Sequence, residues 1–460
     1  MTLYPLMRRA GIAAAWLAGC TLVHAAGAAS AAAEPEELRL FDGKPAAGWQ
    51  FFVSDFESRQ ALNADAVTVP KPAHPKVPQS AVGARRSSKA AAGDAVTLQW
   101  KDAWYAGLRL EDGKPVDLRP FIADGTLEFD LNVVEMAKGG LHVAIGCGKD
   151  CHRKVNYVLP SRALAGKGWQ HLSFAMSCFA RAGDDFSAIP QPFVLDGSGT
   201  GEAAVANVRF VRHGKSNAAC PDYRTEAFTP SPLNQVWALE WWMTRHEKKL
   251  QELRNAKAAG HAIDLVFIGD SITHGWEDSG RKVWDEYFAP HHALDLGYGG
   301  DHTENVLWRL QHGEVDGIAP KVAVVMIGTN NTGDRMDEAR FTAAGIQRIV
   351  LELRARLPKT RVLLLAVFPR DEQPDSPLRR LNDQINGLIS GLADGDRVVF
   401  LNINPQLMNP DGTLSKDILP DLLHLSERGY RIWAERITPT LRRLMAAPAP
   451  VPAPAPDSVP

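Results

Sequence analysis

From His261 to Met445 short apolar runs alternate with amphipathic segments, and this repeat constrains the fold more than any other feature of the chain. The strand candidates are residues 264–268, 293–297, 322–327, 361–367 and 398–402. Helix candidates lie between and after them, at about 276–288, 302–312, 337–356, 377–394 and 426–445. Runs with no polar alternation suit strands covered on both faces. Intervals long enough for a helical crossover call for parallel neighbours. Residues 261–445 are therefore expected to form a three-layer α/β/α domain.

The first apolar run, Leu265-Val-Phe-Ile268, breaks at Gly269, and Asp270, Ser271 and a helix-like continuation follow. Ser271 is thus placed at a strand-to-helix turn, where the free N–H groups of the helix favour negative charge. A Gly-Asp-Ser tripeptide alone reads equally well as a helix cap, so partners elsewhere must decide. Three stretches supply what an acyl-transferring serine needs: a base, an acid that orients it and donors for an oxyanion. Asp421-Leu-Leu-His424 precedes the last helix, with the carboxylate three residues from the imidazole. Gly297-Tyr-Gly-Gly300 follows the second strand, where glycine allows a tight turn and close approach of a backbone N–H. Gly328-Thr-Asn330-Asn331 follows the third and offers a side-chain amide. Each has an ordinary structural reading as cap, turn or buried histidine, but all four sites fall after C-terminal ends of strands. That coincidence points to catalysis.

The region 38–225 has a different texture. Thr126-Leu-Glu-Phe-Asp-Leu-Asn-Val133 alternates apolar and polar residues; Leu141–Ile145, Gln170–Phe174 and Ala204–Phe210 do likewise. With Gly, Pro, Asp and Asn clusters between them and no long helical period, an antiparallel, jelly-roll-like β-sandwich is expected. Residues 70–95, rich in Pro, Ala, Ser and Lys, read as a long mobile insertion. Trp104, Tyr105 and Trp169 have flat faces suited to sugars, but core packing is the preferred reading for each. Residues 226–260 form a linker around Pro230-Ser-Pro232 and an amphipathic docking helix from Gln235 to about Lys257, with Trp241 and Trp242 read as packing. Residues 446–460 form a Pro/Ala-rich tail.

At the N-terminus, Arg8-Arg9 precedes an apolar run from Ala10 to about Val23, the pattern of an export signal over residues 1–25. Two processing outcomes stay open: lipidation of Cys20 within Leu17-Ala-Gly-Cys20, or ordinary cleavage after Val23-His-Ala25. Either places the protein outside the cytoplasm, as a periplasmic, outer-membrane lipoprotein or extracellular species. No later stretch offers eighteen uninterrupted apolar residues, so no integral membrane domain is expected beyond a lipid anchor. The remaining Cys147, Cys151, Cys178 and Cys220 suit disulfides in an oxidising compartment, paired 147–151 and 178–220. A metal cluster of Cys147, Cys151, His152 and His142 is the competing reading, but its spacing fits no common zinc pattern. Net charge is −2, without the basic footprint of a nucleic-acid partner.

Two resemblances follow from these motifs. Residues from about 235 to 445 resemble the SGNH (GDSL-type) hydrolase superfamily, in its platelet-activating-factor acetylhydrolase-like branch, through Phe267–Gly275, Ala293–Leu310 and Gly328-Thr-Asn-Asn331. The resemblance implies a flavodoxin-like three-layer fold and a triad of Ser271, His424 and Asp421. It further implies an oxyanion hole from the N–H groups of Ser271 and Gly300 and the Asn330 side chain, with no metal or cofactor. This chain departs from the broader superfamily at Asn331, where aspartate is usual, and at Asp295, where asparagine is common. The N-terminal region resembles galactose-binding-like β-sandwich modules of polysaccharide-degrading enzymes, through Leu40-Phe-Asp-Gly43, Trp49, Trp104-Tyr-Ala-Gly107, Gly168-Trp169 and Val205–Phe210.

Together these features imply an exported serine esterase removing small acyl groups, with an acetylated polysaccharide or oligosaccharide as the expected substrate partner. The alternatives are an acetylhydrolase of phospholipid esters, a sugar O-acyltransferase, or a carbohydrate-binding surface protein on a hydrolase scaffold. The sequence does not speak to oligomeric state.

Overall fold

Five parallel strands form the sheet of the C-terminal half: Leu265–Gly269, Ala293–Gly297, Val322–Met326, Arg361–Leu365 and Val398–Leu401. The computed structural model that shows them describes residues 36–55, 57–70, 80–148, 151–235, 237–238 and 241–450. The expected export signal, Cys20 and the end of the Pro/Ala tail lie outside the described residues. In space the strands run second, first, third, fourth, fifth, the flavodoxin-like order. Residue parity decides which face each side chain joins. Phe267, Val324, Met326 and Leu363 point to one core with Trp276, Phe288 and Trp433; Val266, Ile268, Val325 and Leu364 point to the other with Val306, Ile349 and Ile385. Phe267 is ringed by Phe288 at 4.7 Å, Trp284 at 5.1 Å and Trp276 at 6.0 Å. Truncating such a side chain costs roughly 3–5 kcal/mol.

Register aligns the strand ends that matter. Gly269 lies beside Gly297 on one side and Met326 on the other. The turns after the first three strands therefore leave the sheet at one level of its C-terminal edge, at the point where strand order reverses. Among the longer helices, Thr303–Gln311, Ala339–Arg356, Pro377–Ser390 and Glu427–Ala446 match the expected amphipathic segments to within a few residues. The segment expected as a helix over 276–288 is shorter: a 3-10 turn at Gly275–Glu277 and a helix at Arg281–Tyr287. The docking helix is also shorter than expected. It runs Trp242–Ala258, because Trp237, Ala238 and Trp241 before it lie in turns, with the Ala238 N–H bonded to the Gln235 carbonyl.

The N-terminal half is antiparallel and built on three long strands, Ala95–Glu111, Thr126–Gly148 and Gln191–Val211, of which the last pairs with both others. The two strands expected at 126–133 and 141–145 are thus one strand of 23 residues. Straight, it would exceed about 70 Å, too long for a domain of this size. It crosses instead opposite a glycine-rich stretch, where register shifts around Gly199 and Gly201 bend the pair. The resulting core includes Phe51, Leu108, Phe129, Phe174 and Phe193.

The expectation of a mobile insertion over 70–95 is corrected in its second half; residues 71–79 lie outside the described residues. Ala81–Ser87 is a strand, paired from Ala81↔Lys101 to Ser87↔Ala95. Small residues misled there: Val82 and Ala84 suffice to bury one face, and the Asp94 carboxylate closes the hairpin by accepting the Ala90 and Ala91 N–H groups at 2.8 and 2.7 Å. The preference for core is corrected at Trp104, which is 54% exposed. Cys147–Cys151 and Cys178–Cys220 are disulfides, so the first pair offers no thiolate beside His142 and His152. Among the described residues, no helix is long and apolar enough to cross a membrane.

Candidate active site

Ser271 opens a four-residue helix, Ser271–His274, directly after the first strand. Asp270 caps it, its Oδ1 accepting the Ile272 N–H at 2.9 Å. Burial, partly offset by that bond, pushes the Asp270 carboxyl up to about 6. The Ser271 N–H lies in the first turn, where it has no intrahelical acceptor.

Ser271 Oγ and His424 Nε2 are 2.8 Å apart, and His424 Nδ1 lies 2.7 Å from Asp421 Oδ2. The other Asp421 oxygen accepts the backbone N–H groups of His424 at 2.7 Å and Leu423 at 3.1 Å. Burial works to raise the Asp421 carboxyl, but these amides and the imidazole outweigh it and hold it below the usual carboxylate range. Its ionised form therefore keeps the proton of His424 on Nδ1, leaving Nε2 to accept from the serine. Leu419 and Leu425, both buried, anchor the loop on either side.

The loop is clamped from behind. Leu422 and Asp371 both have positive φ, +63° and +60°, and the Asp371 N–H donates to the Leu422 carbonyl at 3.0 Å. For residues with a Cβ this conformation is strained and persists only where neighbours impose it. Arg379 does so: its guanidinium donates to the carbonyls of Arg370, Asp371 and Gly412 at 2.8, 2.6 and 2.9 Å.

Gly300 and Asn330 arrive from the next two strand ends. Gly300 has φ +80°, and a Cβ there would fall 2.3 Å from the Trp237 ring, so glycine is required twice over. No acceptor among the described residues takes its N–H. Asn330 Nδ2 donates one hydrogen to the Asp301 carbonyl at 2.9 Å, which leaves the second for another acceptor. Asp301 is the hub of this corner. Its carboxylate receives Trp242 Nε1 at 2.6 Å and Arg309 Nε at 2.8 Å, and Arg309 also meets Glu314, all three charged groups being fully buried. His274 contributes too, its Nδ1 accepting the Gly299 N–H at 3.3 Å. Burial and then the Arg245 charge lower His274 to about 4, so it is a neutral acceptor at ordinary pH.

The two departures from the superfamily pattern have local explanations. Asn331 Oδ1 accepts the Thr303 N–H at 3.1 Å, capping the Thr303–Gln311 helix, and its Nδ2 faces Asp337 Oδ2 at 3.3 Å. An aspartate would put another negative charge among Glu226, Glu304 and Asp337, which already share Arg335. Asp295 accepts the Gly297 N–H at 2.8 Å. Burial first, then the nearby Glu277 charge, pushes its carboxyl up to about 8; at neutral pH it is a neutral acid and substitutes for an asparagine. Arg245 lies 3.8 Å away, too far to hydrogen-bond it and reverse that direction.

The structure thus gathers Ser271, His424, Asp421, Gly300 and Asn330 at one edge. Sequence reasoning missed His274, Arg379, Asp301 and Arg309, and took Trp241 for packing alone. Trp242 is indeed buried, but Trp241 is half-buried at the rim, 3.4 Å from where a Gly299 Cβ would lie. The adjacency of His274 to the serine motif was the one available signal. The cysteines lie in the N-terminal half, outside this site.

A strand-ordered α/β/α domain with a serine, histidine and acid on its C-terminal edge defines the class of serine-dependent acyl hydrolases. The comparisons with known proteins agree. Residues 267–432 match the GDSL-like Lipase/Acylhydrolase family, and residues 47–210 match a family described as Galactose-binding domain-like. Human platelet-activating factor acetylhydrolase IB subunit alpha1 is 37% identical over 221 residues, 48% of this chain and 91% of the relative. The chicken alpha2 subunit is 34% identical over 219 residues, 47% of this chain and 87% of its own. The chain belongs to the GDSL-like lipase/acylhydrolase family and is a carboxylic ester hydrolase. Among solved structures it is similar to a GDSL-like lipase from Bacteroides thetaiotaomicron, with TM-score 0.35, 22% identity and coverage of 42% of this chain and 98% of that one. It is also similar to the extra C-terminal domain of an exo-1,3/1,4-beta-glucanase from a Pseudoalteromonas species, with TM-score 0.32, 15% identity, and coverage of 40% and 97%.

Proposed function

We propose that this protein is an exported esterase that removes acetyl groups from carbohydrate through an acyl-enzyme on Ser271. The observation that carries the mechanism is the unbroken relay from Ser271 Oγ through His424 to Asp421, at 2.8 and 2.7 Å. His424 Nε2 takes the Ser271 proton as Oγ bonds the acyl carbon, and the carbonyl electron pair moves onto oxygen. The N–H groups of Ser271 and Gly300 and the Asn330 amide hold that oxyanion. Its collapse expels the sugar alcohol, which takes the proton from His424. Water then gives a proton to the same nitrogen, attacks the acyl carbon and releases acetate, and Ser271 recovers its proton.

Carbohydrate is favoured by the galactose-binding-like match over residues 47–210 in the same chain. Export is supported by the signal-like N-terminus and fits the two disulfides. A second reading, hydrolysis of an acetylated phospholipid, is favoured by the 37% identity to the mammalian acetylhydrolase subunit. Acetate release from acetylated polysaccharides and from a short-chain acetyl phospholipid, compared between the native protein and Ser271→Ala, separates them. Serine-dependent release from a polysaccharide is expected. Release from the phospholipid alone would select the second reading, and unchanged activity in Ser271→Ala would remove the serine from the mechanism.

A further inference from the structure

Trp237 sits on the segment that joins the two halves of the protein, yet its ring lies against the glycine of the oxyanion corner. The edge of its indole packs on Gly300, 2.3 Å from where a Cβ would stand, and Leu233 approaches the same point to 3.3 Å. Its ring centroid is 6.0 Å from that of Trp241 at an interplanar angle of 29°, and Trp241 in turn lies 6.1 Å from His274. Upstream of Trp237 the chain is tied at two points: the Ser231 N–H donates to the Glu304 carbonyl at 3.3 Å, Asn305 Nδ2 donates to the Ser231 carbonyl at 3.0 Å, and Gln235 reaches Asp334 at 3.4 Å. Trp237 nonetheless remains 48% exposed, whereas Trp242 on the next turn is 1% exposed. The open indole thus stands beside Gly300 with the half-buried Trp241 ring next to it, two apolar faces at one rim.

We infer that Trp237, backed by Trp241, is the platform on which the alcohol portion of the ester lies, and that this portion is a pyranose ring. This inference rests on the assignment of Ser271, Gly300 and Asn330 to catalysis. The reacting carbonyl oxygen must sit at Gly300, so a group flanking that oxygen on the solvent side meets the free indole face. A pyranose is suited to it: one face carries C–H groups that cover the ring, while the hydroxyls point outward to water and to polar rim groups such as His274 and Asp334. A flexible acyl chain has no comparable flat face, and a small alcohol is too short to reach it.

The test uses the whole protein, with Trp237→Ala, Trp237→Phe and Ser271→Ala, on two esters: an acetylated xylooligosaccharide and ethyl acetate. Trp237→Ala is expected to raise KM for the oligosaccharide by about tenfold, the equivalent of about 1.4 kcal/mol, and to lower kcat/KM for ethyl acetate by a clearly smaller factor, because only the larger alcohol loses contact with the indole face. Trp237→Phe, which retains a flat ring, should recover most of the oligosaccharide KM. Parallel losses on both esters would show that the indole only supports Gly300, and would overturn the platform. An unchanged oligosaccharide KM would overturn it too, as would a native protein that cleaves ethyl acetate and no acetylated sugar. Hydrolysis of ethyl acetate that persists in Ser271→Ala would instead overturn the catalytic assignment itself.

Discussion

The two sides of the active site are held by opposite means. Ser271, Gly300 and Asn330 grow from strand ends and from a corner whose groups are fully buried, with Asp270, Asp301, Arg309 and Glu314 all at 0% exposure. Asp421 and His424 stand on a surface loop, their side chains 57% and 43% exposed, held by a backbone clamp with two left-handed residues. Ser271, Gly300 and Asn330 thus share the stability of the sheet. His424 depends on a local device that can loosen while the sheet stays intact.

Several substitutions would break or sharpen this contrast. Arg309→Met should have the largest effect on the buried side, because it strands Asp301 and Glu314 without their cation. A loss of roughly 3–5 kcal/mol is expected in urea unfolding, and a loss under about 1 kcal/mol would mean the corner is not held by charge. Asn330→Ala should lower kcat by roughly 10²–10³ with the unfolding midpoint little changed, if its free hydrogen meets the oxyanion. Less than about threefold would remove it from the hole.

Arg379→Met tests the exposed side. Three carbonyls lose their donor, so a stability loss of about 1–3 kcal/mol is expected. Faster hydrogen exchange should be confined to the Asp371 and Leu422–His424 amides, with the Leu265–Gly269 amides unaffected. Equal acceleration at both places would erase the distinction between the two sides. At Asp295→Asn the effect is confined to one end of the pH range and is read as a pH dependence. The folded carboxyl, pushed up to about 8, lies above its unfolded value, so its contribution is full below about pH 3.9 and is lost as pH rises through 8. The asparagine variant should gain stability relative to the native chain at pH 9 more than at pH 5. A difference independent of pH would mean that Asp295 is ionised in the fold throughout.

The same division governs what could be read in the sequence. The parallel strands were legible because both faces are covered, which writes them as unbroken apolar runs such as Leu265–Ile268. Ser271, His424 and Asp421 were legible as the residue types an acyl transfer would use, and the structure brings them within hydrogen-bonding reach. The supports were not. Arg379 looks like any helical surface arginine, and nothing local shows that it will meet three carbonyls from two other loops. The clamp between Asp371 and Leu422 joins residues 51 positions apart. The strand at Ala81–Ser87 was hidden by small side chains, and Trp104 by the ordinary tendency of tryptophan to be buried. The docking helix was drawn too long because Gln235–Trp241 has helical spacing, whereas contact with Gly300 holds Trp237 in a turn.

Arg153 and Arg181, from the N-terminal half, both donate to the carbonyl of Arg335, at 3.4 and 2.6 Å, on the last residue of the Thr329–Arg335 helix that begins beside Asn330. Any attempt to trim this enzyme to a minimal catalytic piece would therefore expose a cost that a domain map hides. Cutting before residue 261 removes the anchors at the far end of that helix and the Trp237 wall together, so the shortest active fragment should begin well upstream of the first parallel strand.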